Sequence, residues 1–245
     1  MLASKSRFIS VRMRILHIFF YMVLPMALTS CASGGSAMWQ TLQNAWGGGV
    51  DVSQGTLNPA FRYLRLVVDG QVVLLALGYT DAHPQGPIEA WYSAHKEVLR
   101  LQNGRVVGAA GTVTEWQSVS IPPLPNWSAL SLASEPLRWI RSRDLMPGYR
   151  YGVKDALITR AVPPPVRSQL SGVDPASLIW FEEAFDSSES LSMSKGDTDR
   201  LPPAKYAVSL SQGEGAVVYA EQCLATDLCF SWQRWPVSRS ADIKK

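Results

Sequence analysis

The chain has 245 residues and a formal charge of +3. Four of its 23 basic residues and none of its 20 acidic ones fall before Cys31, so the remainder carries 19 against 20, a net charge of −1. A nearly neutral body offers no electrostatic footprint for nucleic acid, and that class of partner is excluded.

The amino terminus reads as an address before it reads as structure. Lys5, Arg7, Arg12 and Arg14 form a basic region, and an apolar stretch runs from Ile15 to Leu28. The stretch is short for a membrane span, which needs about 20 apolar residues. It ends in Leu28-Thr29-Ser30-Cys31, which resembles the lipobox of bacterial lipoproteins. Two small residues admit the peptidase to the backbone, and the Cys31 thiol is the nucleophile that accepts the diacylglycerol. The plainer alternative is a secretory signal with an incidental cysteine, but charge, core and box stand in the order that lipidation requires. Residues 1–30 are thus expected to be a lipoprotein signal peptide, and a start at Met13 would give it a more usual length. Ala32 is not the aspartate that retains lipoproteins at the inner membrane, which points to the outer membrane and its periplasmic face. Each buried CH₂ of an acyl chain contributes about 0.8 kcal/mol, so several chains on one cysteine make a stable anchor.

The chain from Cys31 onward has 215 residues, enough for one large domain or two small ones. Its first part, 31–58, reads as a lipidated tether and a short amphipathic helix. Ala32 to Ser36 is flexible, Trp39, Leu42 and Trp46 recur at helical spacing, and Gly47-Gly48-Gly49 stops the helix. The glycine run lacks the lysine and Ser/Thr of a phosphate loop.

Residues 59–245 are expected to form a mainly β domain of antiparallel, hairpin-rich sheets, a sandwich or an open barrel-like arrangement, with one or two short helices. Tyr63–Val68 and Gln71–Tyr79 flank Asp69-Gly70, and Glu97–Gln102 and Arg105–Val107 flank Asn103-Gly104. Both are strong hairpin signals, because both turn residues must tolerate positive φ. Gln71–Tyr79 is apolar on both faces and predicts a central strand covered on two sides. Ile88–Ser93, Thr112–Ile121, Tyr149–Ala161 and Ser177–Phe185 predict further strands. Leu130–Arg141 predicts a short helix interrupted near Pro136. Pro122-Pro123-Leu124-Pro125 is the best candidate for a division into halves, though not into two domains. Residues 187–203 read as a polar, mobile loop. Tyr206–Leu210, Ala216–Glu221 and Cys229–Trp235 complete a three-stranded ending.

The search for chemistry yields little. His83 and His95 stand in no metal-ligand pattern, and no nucleophile elbow is present. Glu182 and Glu183 are adjacent on a strand, point to opposite faces and cannot act as a pair. A glycosidase needs two acids facing each other across roughly 5 to 9.5 Å, and nothing selects such a pair. No catalytic residue, metal or cofactor is expected. Cys223 and Cys229 lack the Cys-x-x-Cys spacing of a redox or metal site, and export to an oxidising compartment favours a disulfide between them. All nine tryptophans follow Cys31. They can stack on sugar rings, but strand and core roles account for most of them. Trp232 and Trp235 are three apart and face opposite ways on a strand.

The residues resemble the YjbF/GfcB lipoproteins, associated with exopolysaccharide and group 4 capsule export. The resemblance runs through the lipobox, Tyr63-Leu64-Arg65-Leu66, Leu77-Gly78-Tyr79, Trp91-Tyr92-Ser93 and Glu97 to Val107. It closes on Cys223, Cys229 and Ser231-Trp232-Gln233-Arg234-Trp235-Pro236. It implies an accessory of polysaccharide secretion, not an enzyme, with an outer-membrane β-barrel protein, periplasmic export proteins and the polysaccharide itself as partners. It carries over no catalytic residue, only Cys31 for lipid and Cys223 with Cys229 for the disulfide. The alternatives are a periplasmic carbohydrate-active enzyme and a structural envelope lipoprotein.

Overall fold

A computed structural model describes residues 57–188, 200–211 and 213–237, all of which fall in one compact unit, Gly49–Lys245. Cys31 and the helix expected over 36–46 lie outside the described residues, as does most of the loop expected over 187–203.

Twelve antiparallel strands follow one another around a closed barrel, each paired with its neighbours in sequence, and the last returns to the first. They are β1 (Tyr63–Val68), β2 (Gln71–Asp81), β3 (Ile88–Tyr92), β4 (Val98–Gln102), β5 (Arg105–Ala110), β6 (Glu115–Ser120), β7 (Leu137–Met146), β8 (Arg150–Val162), β9 (Ile179–Phe185), β10 (Ala204–Ser209), β11 (Ala216–Ala225) and β12 (Leu228–Trp235). The mainly β, hairpin-rich expectation holds, and closure settles its open choice in favour of a barrel. Leu66 of β1 pairs with Val73 of β2 on one side and Trp232 of β12 on the other, so neither terminal strand is left as an edge.

The two dipeptide turns form as expected. Asp69-Gly70 has φ of 45° and 78°, and Asn103-Gly104 of 50° and 83°, the positive pair that matches the twist of the flanking strands. Gly104 has a second constraint, because a Cβ there would lie 2.5 Å from the Val217 side chain. The hairpin tip is pressed against β11.

Two expectations are corrected. The segment 130–141 is not one interrupted helix. A single helical turn, α1 (Trp127–Ser131), is capped by Asn126, whose Oδ1 accepts from the Ala129 amide at 2.8 Å, and β7 begins at Leu137. Alternating exposure along β7, rather than a 3.6-residue period, is what the inward Trp139, Arg143 and Leu145 obey. Nor is β2 a strand covered on both sides. Only Leu75 is buried, Val72, Val73, Leu74, Ala76 and Leu77 are half-buried, and Tyr79 is exposed. A barrel has one interior, and an apolar run can be tolerated on the outside of it. Pro122–Pro125 leads into α1 and interrupts nothing, since β6 and β7 pair across the connection.

Because the chain is a meander, its connections alternate between two rims. One rim carries the start of β1 and the longer links 82–87, 121–136, 163–178 and 210–215. The other carries the tight turns at 69–70, 147–149 and 226–227, with 93–97, 111–114 and the described ends of the link between β9 and β10, 186–188 and 200–203. At the first rim Trp127 of α1 is the plug. Its indole N–H donates to the Asn103 carbonyl at 2.9 Å, and its ring lies 5.0 Å from Phe181 and 5.1 Å from Tyr206.

Candidate functional site

Side chains on strands far apart around the ring can meet only through the middle, and several do. Arg105 on β5 holds Glu183 on β9, with Nε at 2.7 Å and the second nitrogen at 2.6 Å from Oε1. The same carboxylate accepts from the Thr159 hydroxyl at 3.2 Å and the Tyr206 hydroxyl at 3.0 Å. The Arg105 guanidinium lies over the Trp127 ring at 4.1 Å. Diametrically opposite β5, Gln222 on β11 accepts from the Val106 amide and donates to the Gly104 carbonyl. Trp116 on β6 donates to the Leu224 carbonyl at 2.9 Å.

A second group sits beside it. Arg143, 1% exposed, grips Asp155 with two hydrogen bonds of 2.5 and 2.7 Å, and Arg141 donates to the same carboxylate at 2.8 Å. Both guanidinium carbons lie 4.8 Å from the Trp116 ring, whose π-face offsets part of the positive charge that one carboxylate leaves unbalanced. Two phenols are held protonated. Burial, then the neighbouring Glu183 charge, pushes Tyr206 well above its ordinary range. Burial, then the hydrogen bond to Glu221, raises Tyr219.

The interior is a packed polar network rather than a channel or an open cleft. The cavity beside Arg141, Glu183 and Gln222 has a volume of about 20 Å³, room for a water molecule and little more. A larger space of about 350 Å³ opens at the first rim, between the exit of α1 and β8, and is lined by Glu135, Pro136, Thr159, Arg160 and Phe181.

The outside of the barrel has one covered face. Trp180, Ala207, Tyr219, Gln233 and Arg65 form a row across β9, β10, β11, β12 and β1. The segment 163–178 lies over it as a strap. Leu170 and Leu178 pack on Trp180, Ala207 and Tyr219, while the Tyr219 oxygen accepts from the Gln169 amide at 2.9 Å. Gln233 exchanges two hydrogen bonds with the Ser171 backbone, and Arg65 donates to the Gln169 carbonyl. Charged side chains project from the outer face of β7, β8 and β9, among them Arg138, Lys154, Arg160 and Glu182. Charges there are the reverse of the apolar band that a lipid-facing barrel needs.

The residues singled out in the sequence do not converge. Cys223 and Cys229 face each other across β11 and β12 and form a disulfide, remote from the rim that holds α1. His83 lies 2.8 Å from the Gln102 amide nitrogen in the 82–87 link. Glu183 points inward to Arg105, whereas Glu182 points outward to Arg160. Six tryptophans, Trp91, Trp116, Trp127, Trp139, Trp180 and Trp232, are at most 7% exposed, so they fill the core and do not present rings to a sugar. The helix expected over 130–141 hides the strand that carries Arg141 and, just beyond it, Arg143, while Arg105 falls in an expected strand whose inward face nothing in the sequence marks. Read as a strand, Arg141 and Arg143 fall in phase with Trp139 and Leu145, and charges on an apolar face are the signal.

Comparison with solved structures shows a shared fold. The crystal structure of the hypothetical lipoprotein YmcC from Escherichia coli K12 superposes with a TM-score of 0.51 at 16% identity, covering 84% of this chain and 99% of that one. No family model matches the sequence, and no curated protein matches it. At that identity YmcC shares its architecture with this chain, and the resemblance does not extend to particular site residues.

Proposed function

We propose that this chain is an outer-membrane lipoprotein of the YjbF/GfcB kind, anchored at the periplasmic face through acyl chains on Cys31. In this reading it is a non-enzymatic accessory of exopolysaccharide or capsule secretion. The observation that carries the proposal is Leu28-Thr29-Ser30-Cys31 at the end of a basic and then apolar leader, joined to a domain with the fold of a lipoprotein. The packed interior supports an adaptor role. A barrel filled by Arg105, Glu183, Arg143, Asp155 and Trp116 leaves its rims and outer surface to meet a partner, and the buried acids are each held by arginine. The partners fitting this role are an outer-membrane β-barrel protein, periplasmic export proteins and the exported glycan.

The test is the polysaccharide outside the cell in a deletion strain complemented with the wild-type chain or with Cys31→Ser. Loss of released polymer, restored by the wild type and not by the unlipidated variant, is the expected result. Unchanged polymer in the deletion strain would overturn the reading.

A further inference from the structure

Six tryptophans are buried, whereas Tyr79 and Tyr92 lie side by side on the outside, on a surface built to hold them. Tyr79, Ala90, Arg100 and Gly108 form one cross-strand row over β2, β3, β4 and β5. Asp81 and Tyr92 flank the row on the same outer face, since side chains two apart on a strand share a face. Ala90 is completely buried although it faces outward, so its methyl is a floor for the larger side chains around it.

Glycines make that floor flat. A Cβ at Gly78 would lie 2.6 Å from two ring carbons of Tyr92, and one at Gly108 would lie 3.1 Å from Cδ of Arg100. Without those atoms, the Tyr92 ring and the Arg100 stem lie down on the sheet instead of standing off it. Tyr79 and Tyr92 meet with ring centroids 6.2 Å apart and planes at 49°, and they are 46% and 37% exposed. Beside them Arg100 donates to Asp81 at 3.3 Å, with side chains 38% and 48% exposed. The hydrogen bond with Tyr79, then partial burial, raises the Tyr92 phenol.

We infer that Tyr79, Tyr92, Asp81 and Arg100 form a docking platform for a pyranose polysaccharide chain. The inference deepens the reading above, on which it rests, by naming the glycan-contacting surface. A pyranose ring has an apolar face of C–H groups and a rim of hydroxyls that both donate and accept. The tilted tyrosines match the first, and a neutral, half-exposed Arg–Asp pair supplies an acceptor and a donor for the second. The balanced charge does not suit nucleic acid or an anionic lipid surface, which call for clustered cations. Two strand spacings separate Tyr79 from Arg100, about 10 Å, so the platform contacts an extended chain rather than enclosing one sugar.

The test uses the lipidated full chain in detergent, run through native gels cast with the cell's released polysaccharide, with galactomannan or with hydroxyethyl cellulose. Retardation by at least one polymer is expected, weakened tenfold or more by Tyr92→Ala, by Tyr79→Ala and by Asp81→Ala, and retained by Tyr92→Phe. Tyr79 is exposed enough that its loss leaves the fold intact, and Tyr151→Ala at the start of β8 serves as the control that binds like wild type. No retardation on any of the polymers, or equal retardation of wild type, Tyr79→Ala and Asp81→Ala, would overturn the platform. If the deletion strain loses released polymer while Tyr79→Ala restores it fully and migrates like wild type, the platform fails and the secretion role stands. If deletion leaves the polymer unchanged, the secretion role fails first.

Discussion

Asp155 shows what a single buried charge does in this barrel. Its carboxylate answers two guanidinium groups, one of which, Arg143, is nearly inaccessible. Burying an ion is costly, and an ion whose partner is removed keeps the cost without the attraction. Asp155→Asn preserves the volume and removes the charge, leaving Arg141 and Arg143 facing each other beside Trp116. The expected loss is about 3 kcal/mol or more of unfolding free energy, read from the shift in urea midpoint at constant slope. A shift worth less than about 1 kcal/mol, within the range of an exposed ion pair, would mean that water reaches the pair and that the interior is not dry there. The Arg105–Glu183 pair sits in the same kind of surroundings but has Thr159 and Tyr206 as further partners. Nothing in the sequence announces either pair: the pairing of β7 with β8 brings Arg143 to Asp155, whereas closure of the barrel brings Arg105 on β5 across to Glu183 on β9.

At the scale of elements, the hairpins were legible and the strap was not. Asp69-Gly70 and Asn103-Gly104 act through local backbone geometry, so a dipeptide suffices to announce them. The segment 163–178 begins with three prolines and reads as a break, and its role depends on a row of side chains contributed by five strands. Its hold is concentrated on Tyr219 and Gln233. Tyr219→Phe removes the oxygen that accepts from the Gln169 amide and donates to Glu221 at 2.7 Å, a change worth about 1 kcal/mol. Because Leu170 and Leu178 still pack beneath the strap, the barrel is expected to keep its global stability to within that amount. The strap alone should loosen. Limited trypsin digestion reads this directly, since Arg167 is exposed within the strap and cleavage there requires local opening. Several-fold faster cleavage after Arg167 in the variant is the expected outcome, and an unchanged rate would show that packing alone holds the segment.

The whole barrel depends on contacts that no local pattern records. The mainly β class follows from turn chemistry and β-rich runs, but closure rests on β1 meeting β12, a pairing between the two ends of the domain. The helix expected over 130–141 failed for a related reason: Trp139, Arg141, Arg143 and Leu145 are set by the interior they face, and tertiary burial overrode local propensity there. The candidate glycan surface was likewise hidden, because the sequence pointed to tryptophans, six of which are buried, whereas the rings of the platform are Tyr79 and Tyr92, the latter lying over Gly78. The closed interior has a consequence for the molecule as a unit. Tyr206 and Tyr219 have folded-state pKa values raised above the unfolded value of about 10. The unfolded chain therefore releases these protons first, so their contribution to stability is complete below pH 10 and is lost as pH rises beyond it. In an alkaline titration followed by phenolate absorbance, two phenols should ionise only together with loss of the barrel's far-ultraviolet signal. Tyr206→Phe and Tyr219→Phe should each remove one phenol from that shared step. Smooth ionisation of both while the barrel remains folded would mean that the interior and the strapped face exchange freely with solvent, and the dry, closed barrel would have to be abandoned.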